Sequence, residues 1–314
     1  MTKIRVSVEA KKYSKNPILT PVLKEKSFET ACVFNPAAIV KDKKVFLLYR
    51  AEDLYYNNYI SRIGLAWSED GFRFKRYKNN PVINKGKKLT KTEKRGSEDP
   101  RIIRINNMFF LTYTAIPKDG PVSLCGAFSK DLIHWKKTGT LISKKMSGPD
   151  TNAKAGAIVQ DYKYKGKYVM YFGEGVIKMA LSRNLKNWEI IEKPVLKPRK
   201  WYFDDSLVEG GPPPIVTEKG ILMIYNSRKT RITYEGIRKW LSYSPGFAIF
   251  DKNNPTKLLF RSEKPILKPT EYWEKYGKVN NVIFATGLVY FKKKWLLYYG
   301  GADKSIGVAE IKIQ

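Results

Sequence analysis

The sequence predicts an all-β chain, a five-bladed β-propeller, on three observations. One strand pattern recurs five times, each copy is punctuated by turn residues at short intervals, and amphipathic helical periodicity is nearly absent. The recurring unit is an apolar strand, a Lys/Asn/Gly turn and a second strand ending in tyrosine. Its copies are Val45-Phe-Leu-Leu-Tyr49, Phe109-Phe-Leu-Thr-Tyr113, Lys167-Tyr-Val-Met-Tyr171, Ile221-Leu-Met-Ile-Tyr225 and Lys294-Trp-Leu-Leu-Tyr298. Successive tyrosines lie 64, 58, 54 and 73 residues apart.

Each copy continues with a strand rich in small residues, such as Ile63-Gly-Leu-Ala-Trp67 or Leu124-Cys-Gly-Ala-Phe128. In the first three copies a turn and an aromatic follow, at Ser68-Glu-Asp-Gly-Phe72, Ser129-Lys-Asp-Leu-Ile-His-Trp135 and Ser182-Arg-Asn-Leu-Lys-Asn-Trp188. A final strand carries a Pro-apolar-apolar signature, at Pro81-Val-Ile83, Pro194-Val-Leu196 and Pro265-Ile-Leu267. Four short strands per copy make an antiparallel blade. The 314 residues, which length alone would divide in two, thus read as one domain over residues 1–314. The fifth copy stops at Gln314 without its last segment, while Pro17-Ile-Leu19 stands unclaimed. The N-terminal strand is therefore expected to complete the last blade and cover its open edge. Only Glu271–Lys278 reads as a helical turn.

Composition narrows the chemistry. Lys and Arg number 59 against 29 Asp and Glu, a net charge of +30, in a chain that is 43% hydrophobic. A basic chain invites nucleic acid, yet the lysines are spread through Lys41-Asp-Lys-Lys44, Lys136-Lys137 and Lys292-Lys-Lys294, where solvated turns are the simpler expectation. No nucleic-acid partner is expected. The single histidine, His134, cannot build a zinc site or a multi-histidine centre, and its place in a repeat turn argues against a triad base. Two cysteines, Cys32 and Cys125, read as reduced core residues, so no metal or cofactor is called for. The first residues lack a signal peptide's apolar region and no apolar run reaches about 20 residues, so a cytoplasmic protein without membrane contact is expected. A homo-oligomer is compatible with the sequence.

In a propeller, the loops that lead into the first strand and out of the tyrosine strand line a central funnel. Unusual polar residues gather there: Asn35-Pro36, Tyr49-Arg50-Ala-Glu52-Asp53 and Arg62 in blade one, and Gly96-Ser-Glu98-Asp99-Pro100-Arg101 in blade two. Blade three supplies Asn152-Ala-Lys154 and Gly173-Glu174-Gly175; blade four supplies Asp204-Asp205, Glu209 and Tyr225-Asn-Ser-Arg228; blade five supplies Gly300-Gly-Ala-Asp303. Carboxylates with Arg, Asn and Tyr suit sugar binding and cleavage, where two carboxyl groups do acid and base work. The insertions Lys85–Arg95 and Thr230–Trp240 would set the depth of the pocket.

At Gly96-Ser-Glu98-Asp99-Pro100-Arg101, Asp205…Gly-Gly-Pro-Pro-Pro214 and Tyr298-Tyr-Gly-Gly-Ala-Asp303 the sequence resembles glycoside hydrolase family 130, from about Asn35 to Asp303. That family holds β-mannoside phosphorylases and β-mannosidases on a five-bladed propeller. The resemblance implies Asp99 as proton donor, with Arg50, Arg62, Glu98, Arg101 and Asp303 lining the donor-sugar subsite, together with Asn35 and Tyr113. Asp205, Tyr225 and Arg228 complete the expected substrate-binding set. The family's phosphorylases carry a basic residue after the blade-three tyrosine strand and Lys-Ile-Gly before the triple proline. Here Glu174 and Glu209 occupy those regions and resemble the two Glu residues thought to hold water in hydrolytic members. Lys154, similar to a phosphorylase lysine, keeps phosphate in play. The expected activity is inverting, exo-acting hydrolysis of β-linked mannosides, with Asp99 as acid and Glu174 and Glu209 activating water. The alternatives are a mannoside phosphorylase, with inorganic phosphate as co-substrate, and a non-catalytic glycan-binding propeller. In each case the partner is an oligosaccharide or glycoside.

Overall fold

The structure is a computed structural model describing residues 6–24, 27–54, 60–84, 90–232 and 238–314. Five antiparallel sheets follow one another along the chain, as the repeat predicts. Blade one pairs Cys32–Lys41, Lys44–Glu52, Arg62–Ser68 and Lys75–Arg76 in that order. Blade two pairs Gly96–Ile105, Met108–Ile116, Ser123–Ser129 and Lys136–Ile142. Blade three runs Ala157–Tyr164, Lys167–Phe172, Ile177–Ser182 and Glu189–Leu196. In blade four, Leu207–Gly210 and Ile215–Thr217 share the inner position beside Gly220–Ile232, followed by Arg238–Asp251 and Asn254–Arg261. Blade five is Ile283–Phe291, Lys294–Gly301 and Ser305–Ile313, closed by Val8–Lys12 from the other end of the chain.

The closure is the expected one, made by a different segment. Val8–Lys12 pairs with Ser305–Ile313, while Leu19 makes only an isolated bridge to Ile306. The Pro-apolar-apolar segments behave likewise. Ile83 bridges Ile63, Ile266 donates its N–H to Pro245, and only Pro194-Val-Leu196 lies inside an outer strand. Ile83 thus returns to the start of the third strand of blade one after its outer strand has ended, and Ile266 to the middle of the third strand of blade four. Lys136-Lys137 opens the outer strand of blade two rather than lying in a turn. Glu271–Lys278 contains the helical turn Tyr272–Lys275, and a second one, Lys144–Ser147, lies where the sequence reading expects none.

Period-two alternation explains the packing, because each blade is apolar on both faces. The core divides into five clusters, one between each pair of adjacent blades. Phe109, Leu111 and Tyr113 face blade one, whereas Phe110, between them, faces blade three. All five repeat tyrosines are buried in these layers. The Ser-x-Asp/Asn turns are superimposable in their bonding. The Ser68, Ser129 and Ser182 hydroxyls accept from the amides of Gly71, Leu132 and Leu185, each of which has a positive φ. The Asp70, Asp131 and Asn184 side chains each accept two further amides. Trp135 and Trp188 donate back to Leu132 and Leu185. His134 is exposed in such a turn, 2.7 Å from Asp131.

Of the two insertions, residues 85–89 and 233–237 lie outside the described residues; beside them, Lys91–Glu93 forms a 3-10 turn and the blade-four strands extend as a hairpin. Tyr298 donates a 2.8 Å bond to the Gly71 carbonyl, tying blade five to the blade-one turn in a buried layer. Tyr298→Phe would orphan that carbonyl, so chemical denaturation should show a loss of about 1–2 kcal/mol with an unchanged m-value. An unaltered midpoint would show that the bond contributes nothing.

Candidate active site

The innermost strands of blades one and two begin alike, with Asn35-Pro36 and Asp99-Pro100. Asn35 and Asp99 have φ of 47° and 48°, each at a break in register with the next strand. Asn and Asp tolerate the left-handed region best, and such a bulge re-aims a side chain. The two residues meet: Asn35 Nδ2 donates to Asp99 Oδ1 at 2.8 Å. Gly96, with φ of 107°, lets blade two pass against Ser61, since a Cβ there would lie 2.1 Å from the Ser61 carbonyl oxygen.

Arg50 gathers the carboxylates on this side. Its Nη2 donates to Glu52 at 2.7 Å and to Glu98 at 2.6 Å, its Nη1 to Asp99 at 3.3 Å and its Nε to the Ser61 hydroxyl at 3.0 Å. The Phe34 ring lies 4.6 Å from the guanidinium carbon. Lys278 bonds the second oxygen of Glu52. Burial opposes ionisation of Asp99, but Arg50, then Lys154 and Arg101, with the Asn35 bond, outweigh it and hold its pKa down to about 2. Asp303 goes the other way, pushed up to about 6 by burial and by the Asp99 and Glu52 charges.

The second half of the site forms where blade three meets blade four. Glu174-Gly175 leaves blade three and pairs with Leu207–Gly210, which sets Glu174 directly opposite Glu209. Like charges facing each other across a ladder are unfavourable, and two responses are visible. Lys154 stands 3.7 Å from Glu174 and 3.8 Å from Glu98, and these carboxylates hold its pKa above the usual lysine value despite burial. Glu209, 2% exposed, is pushed up to about 8, first by burial and then by Glu174. Glu174 accepts a 2.8 Å bond from Asn152, whereas Glu209 Oε1 is buried and accepts no bond from the described residues.

The structure thus brings Asn35, Arg50, Glu98, Asp99, Lys154, Glu174, Glu209 and Asp303 together. It places other expected residues elsewhere. Tyr113 and Tyr225 are buried between blades, as their position in the repeat requires; Tyr225 bonds Asp204, and Tyr113 lies against Glu93 and Lys137. Arg101 is fully buried and bonds three carbonyl oxygens rather than facing a sugar. Asp205 holds the blade-four hairpin through Lys229 and the Thr230 amide. Arg62 and Arg228 are not displaced in this way. Arg62 pairs with Asp53 at 2.9 Å beside the Arg50 cluster's Ser61. Arg228 donates to Ser206 at 2.8 Å while acting with Glu174, Glu209 and Asp303 on the same neighbour, Tyr243.

Sequence reasoning missed Tyr243, a residue among those whose charge surroundings are Glu209, Glu174, Arg228 and Asp303. Its ring lies 4.9 Å from Trp240 and 5.8 Å from Phe284. The sequence reading assigns Glu52 no role, although its alternation with Arg50 sets both on one face of the strand. Among the described residues no group of His, Cys, Asp and Glu side chains is arranged to hold a metal ion.

A family model for glycoside hydrolase family 130, described as beta-1,4-mannooligosaccharide phosphorylase, matches residues 9–314. Two curated relatives come from Thermoanaerobacter sp. (strain X514). A 1,2-beta-oligomannan phosphorylase is 35% identical, covering 98% of each chain, and a beta-1,2-mannobiose phosphorylase is 32% identical, covering 95% of this chain and 96% of the relative. A solved structure, from work on glycoside hydrolases of this family that target beta-1,2 mannosidic linkages in Candida mannan, is 34% identical with a TM-score of 0.85. That match covers 96% of this chain and 93% of the other.

Proposed function

The chain belongs to glycoside hydrolase family 130, and on that footing we propose that it hydrolyses β-linked mannosides from the chain end with inversion. The observation that carries the choice of water over phosphate is the Glu174–Glu209 pair. A dianion entering beside these two groups meets repulsion that Lys154, already bracketed by Glu98 and Glu174, only partly offsets. Water is neutral and needs a base, and Glu209 Oε1 is an unoccupied acceptor for its proton.

In this reading Asp99 is the acid. Asp99 is ionised in the free site and Glu209 holds the proton near neutrality. The bound sugar must therefore raise Asp99, by excluding water and drawing the Asn35 and Arg50 donors onto its hydroxyls, until Asp99 takes up a proton and Glu209 gives its own up. That frees Glu209 to accept one from water. Glu98, Arg50 and Asp303 hold the terminal sugar, and Glu174 with Asn152 orients the water. An inverting pair needs carboxyls roughly 6.5–9.5 Å apart.

Phosphorolysis is the second reading, and the names of both curated relatives favour it over hydrolysis. Lys154, the cation between Glu98 and Glu174, is the residue it would use. Product analysis on β-1,2- and β-1,4-mannobiose separates the two. Hydrolysis yields mannose at a rate indifferent to phosphate; mannose 1-phosphate formed only with phosphate would overturn it.

Asp99→Asn should lower kcat by about a hundredfold or more while the thermal midpoint stays near that of the parent. Retained turnover would remove Asp99 from the mechanism. Cleavage needs one proton on the pair, whichever carboxyl carries it in the free enzyme. With Asp99 near 2 and Glu209 near 8, kcat/KM should stay level through neutrality and fall about tenfold per pH unit above about 8. A profile still rising above that pH would contradict the assignment.

A further inference from the structure

Arg101 has a more specific place than the sugar subsite expected of it. The side chain is 1% exposed, and each of its three nitrogens is committed to a main-chain oxygen. Nη1 donates to Asp99 O at 2.7 Å, Nη2 to Gly210 O at 2.7 Å and Nε to Gly211 O at 3.2 Å. Blade three stands between blades two and four in the ring, so these bonds reach past it through the centre. One end grips the residue that carries the acid; the other grips the residue next after Glu209.

We propose that Arg101 is a positioning residue that fixes the acid-bearing strand of blade two to the base-bearing strand of blade four. The proposal rests on the reading of Asp99 and Glu209 as the acid and base. The guanidinium suits the task because its planar fork holds three acceptors at set angles, which the single ammonium of lysine cannot reproduce. A second observation is independent of it. Gly210 and Gly211 have no room for a side chain: a Cβ would lie 2.7 Å from Ala155 O at Gly210 and 2.5 Å from Ile224 O at Gly211. Glycine lets the base strand lie tight against Ala155 and Ile224, so the two carbonyls that Arg101 holds are also fixed from the other side.

Displacement of a reacting group by about 1 Å costs on the order of a hundredfold in rate. Arg101→Lys keeps the charge and loses the fork. Assayed on β-1,2-mannobiose with and without phosphate, it should lose roughly a hundredfold in kcat, with KM within about threefold and the alkaline limb of the pH profile unmoved. A purely structural arginine would lower the melting midpoint without separating kcat from KM, and a kcat within about threefold of the parent would overturn the proposal. Gly210→Ala moves the carbonyl at the far end and leaves the charge untouched. It should show the same kcat-selective loss, and it decides the matter if Arg101→Lys does not fold. Asp99→Asn and Glu209→Gln are run alongside. Full activity in either overturns the acid–base reading and this proposal with it; their loss beside an unimpaired Arg101→Lys overturns the strut alone.

Discussion

Each blade has to bury both of its faces, and the rest of the structure depends on that constraint. A sheet apolar on both sides is stable only with a neighbour on each, so the blades form a closed ring of five interfaces, each with its own apolar cluster. Closure brings the inner strands together at the centre, where their twist and bulges leave backbone groups facing other blades. Polar side chains satisfy them. Asn226 exchanges two bonds with Ala285, Thr286 donates to Pro36 O, Thr112 to Gly156 O, and Arg101 to Asp99, Gly210 and Gly211. The centre of the ring is therefore polar before any substrate enters, and the site is built on bonds that hold the blades to one another.

That framework sorts charge into two halves. On the blade-one and blade-two side, one guanidinium serves Glu52, Glu98 and Asp99, and the carboxylates there have cations within bonding distance. On the blade-three and blade-four side, two glutamates face each other with one lysine shared between the halves, and one of them resolves the conflict by keeping its proton. The pKa values of Asp99 and Glu209 are driven apart by their surroundings: a dense cluster of cations in one case, burial beside a like charge in the other. The net charge of +30 plays little part in this contrast, because lysines such as Lys43, Lys165 and Lys293 sit in turns between strands, away from the centre.

The fold was legible because its signals are local and repeated. Tyrosine strands, Ser-x-Asp turns and the Asn-Pro and Asp-Pro strand starts each specify short-range geometry, and the chain follows them. The errors have local causes too. Tyr113 and Tyr225 were expected to touch sugar, yet a tyrosine present in every copy marks the packing between blades, which the repeat itself implied. Val8–Lys12 alternates intermediate and exposed residues, the pattern of a half-buried edge strand, and that pattern outranked the Pro17-Ile-Leu19 signature. Arg101 lies two residues beyond Asp99, across the break in register, and neither spacing nor alternation can say what lies across the centre. Tyr243 carries no motif at all; only the long hairpin of blade four brings it to the site.

The balance between water and phosphate turns on a feature that folding alone disfavours. Directly opposed glutamates cost stability in a ladder, and here one of them is also buried with an oxygen that no described residue bonds. Replacing either by a neutral residue would relieve the ladder, so stability offers no reason for the pair. In the hydrolytic reading its geometry makes sense as a device for taking a proton from a neutral nucleophile, with Lys154 beside Glu174 while burial and the facing carboxylate hold Glu209 near its titration point. The same lysine is the cation that the phosphorolytic reading would use. It is already bracketed by Glu98 and Glu174, so an incoming dianion would have to displace their attraction before gaining its own. In the hydrolytic reading the charge of these two opposed positions decides the nucleophile, while the acid, its arginine and the ring of blades would serve either reaction.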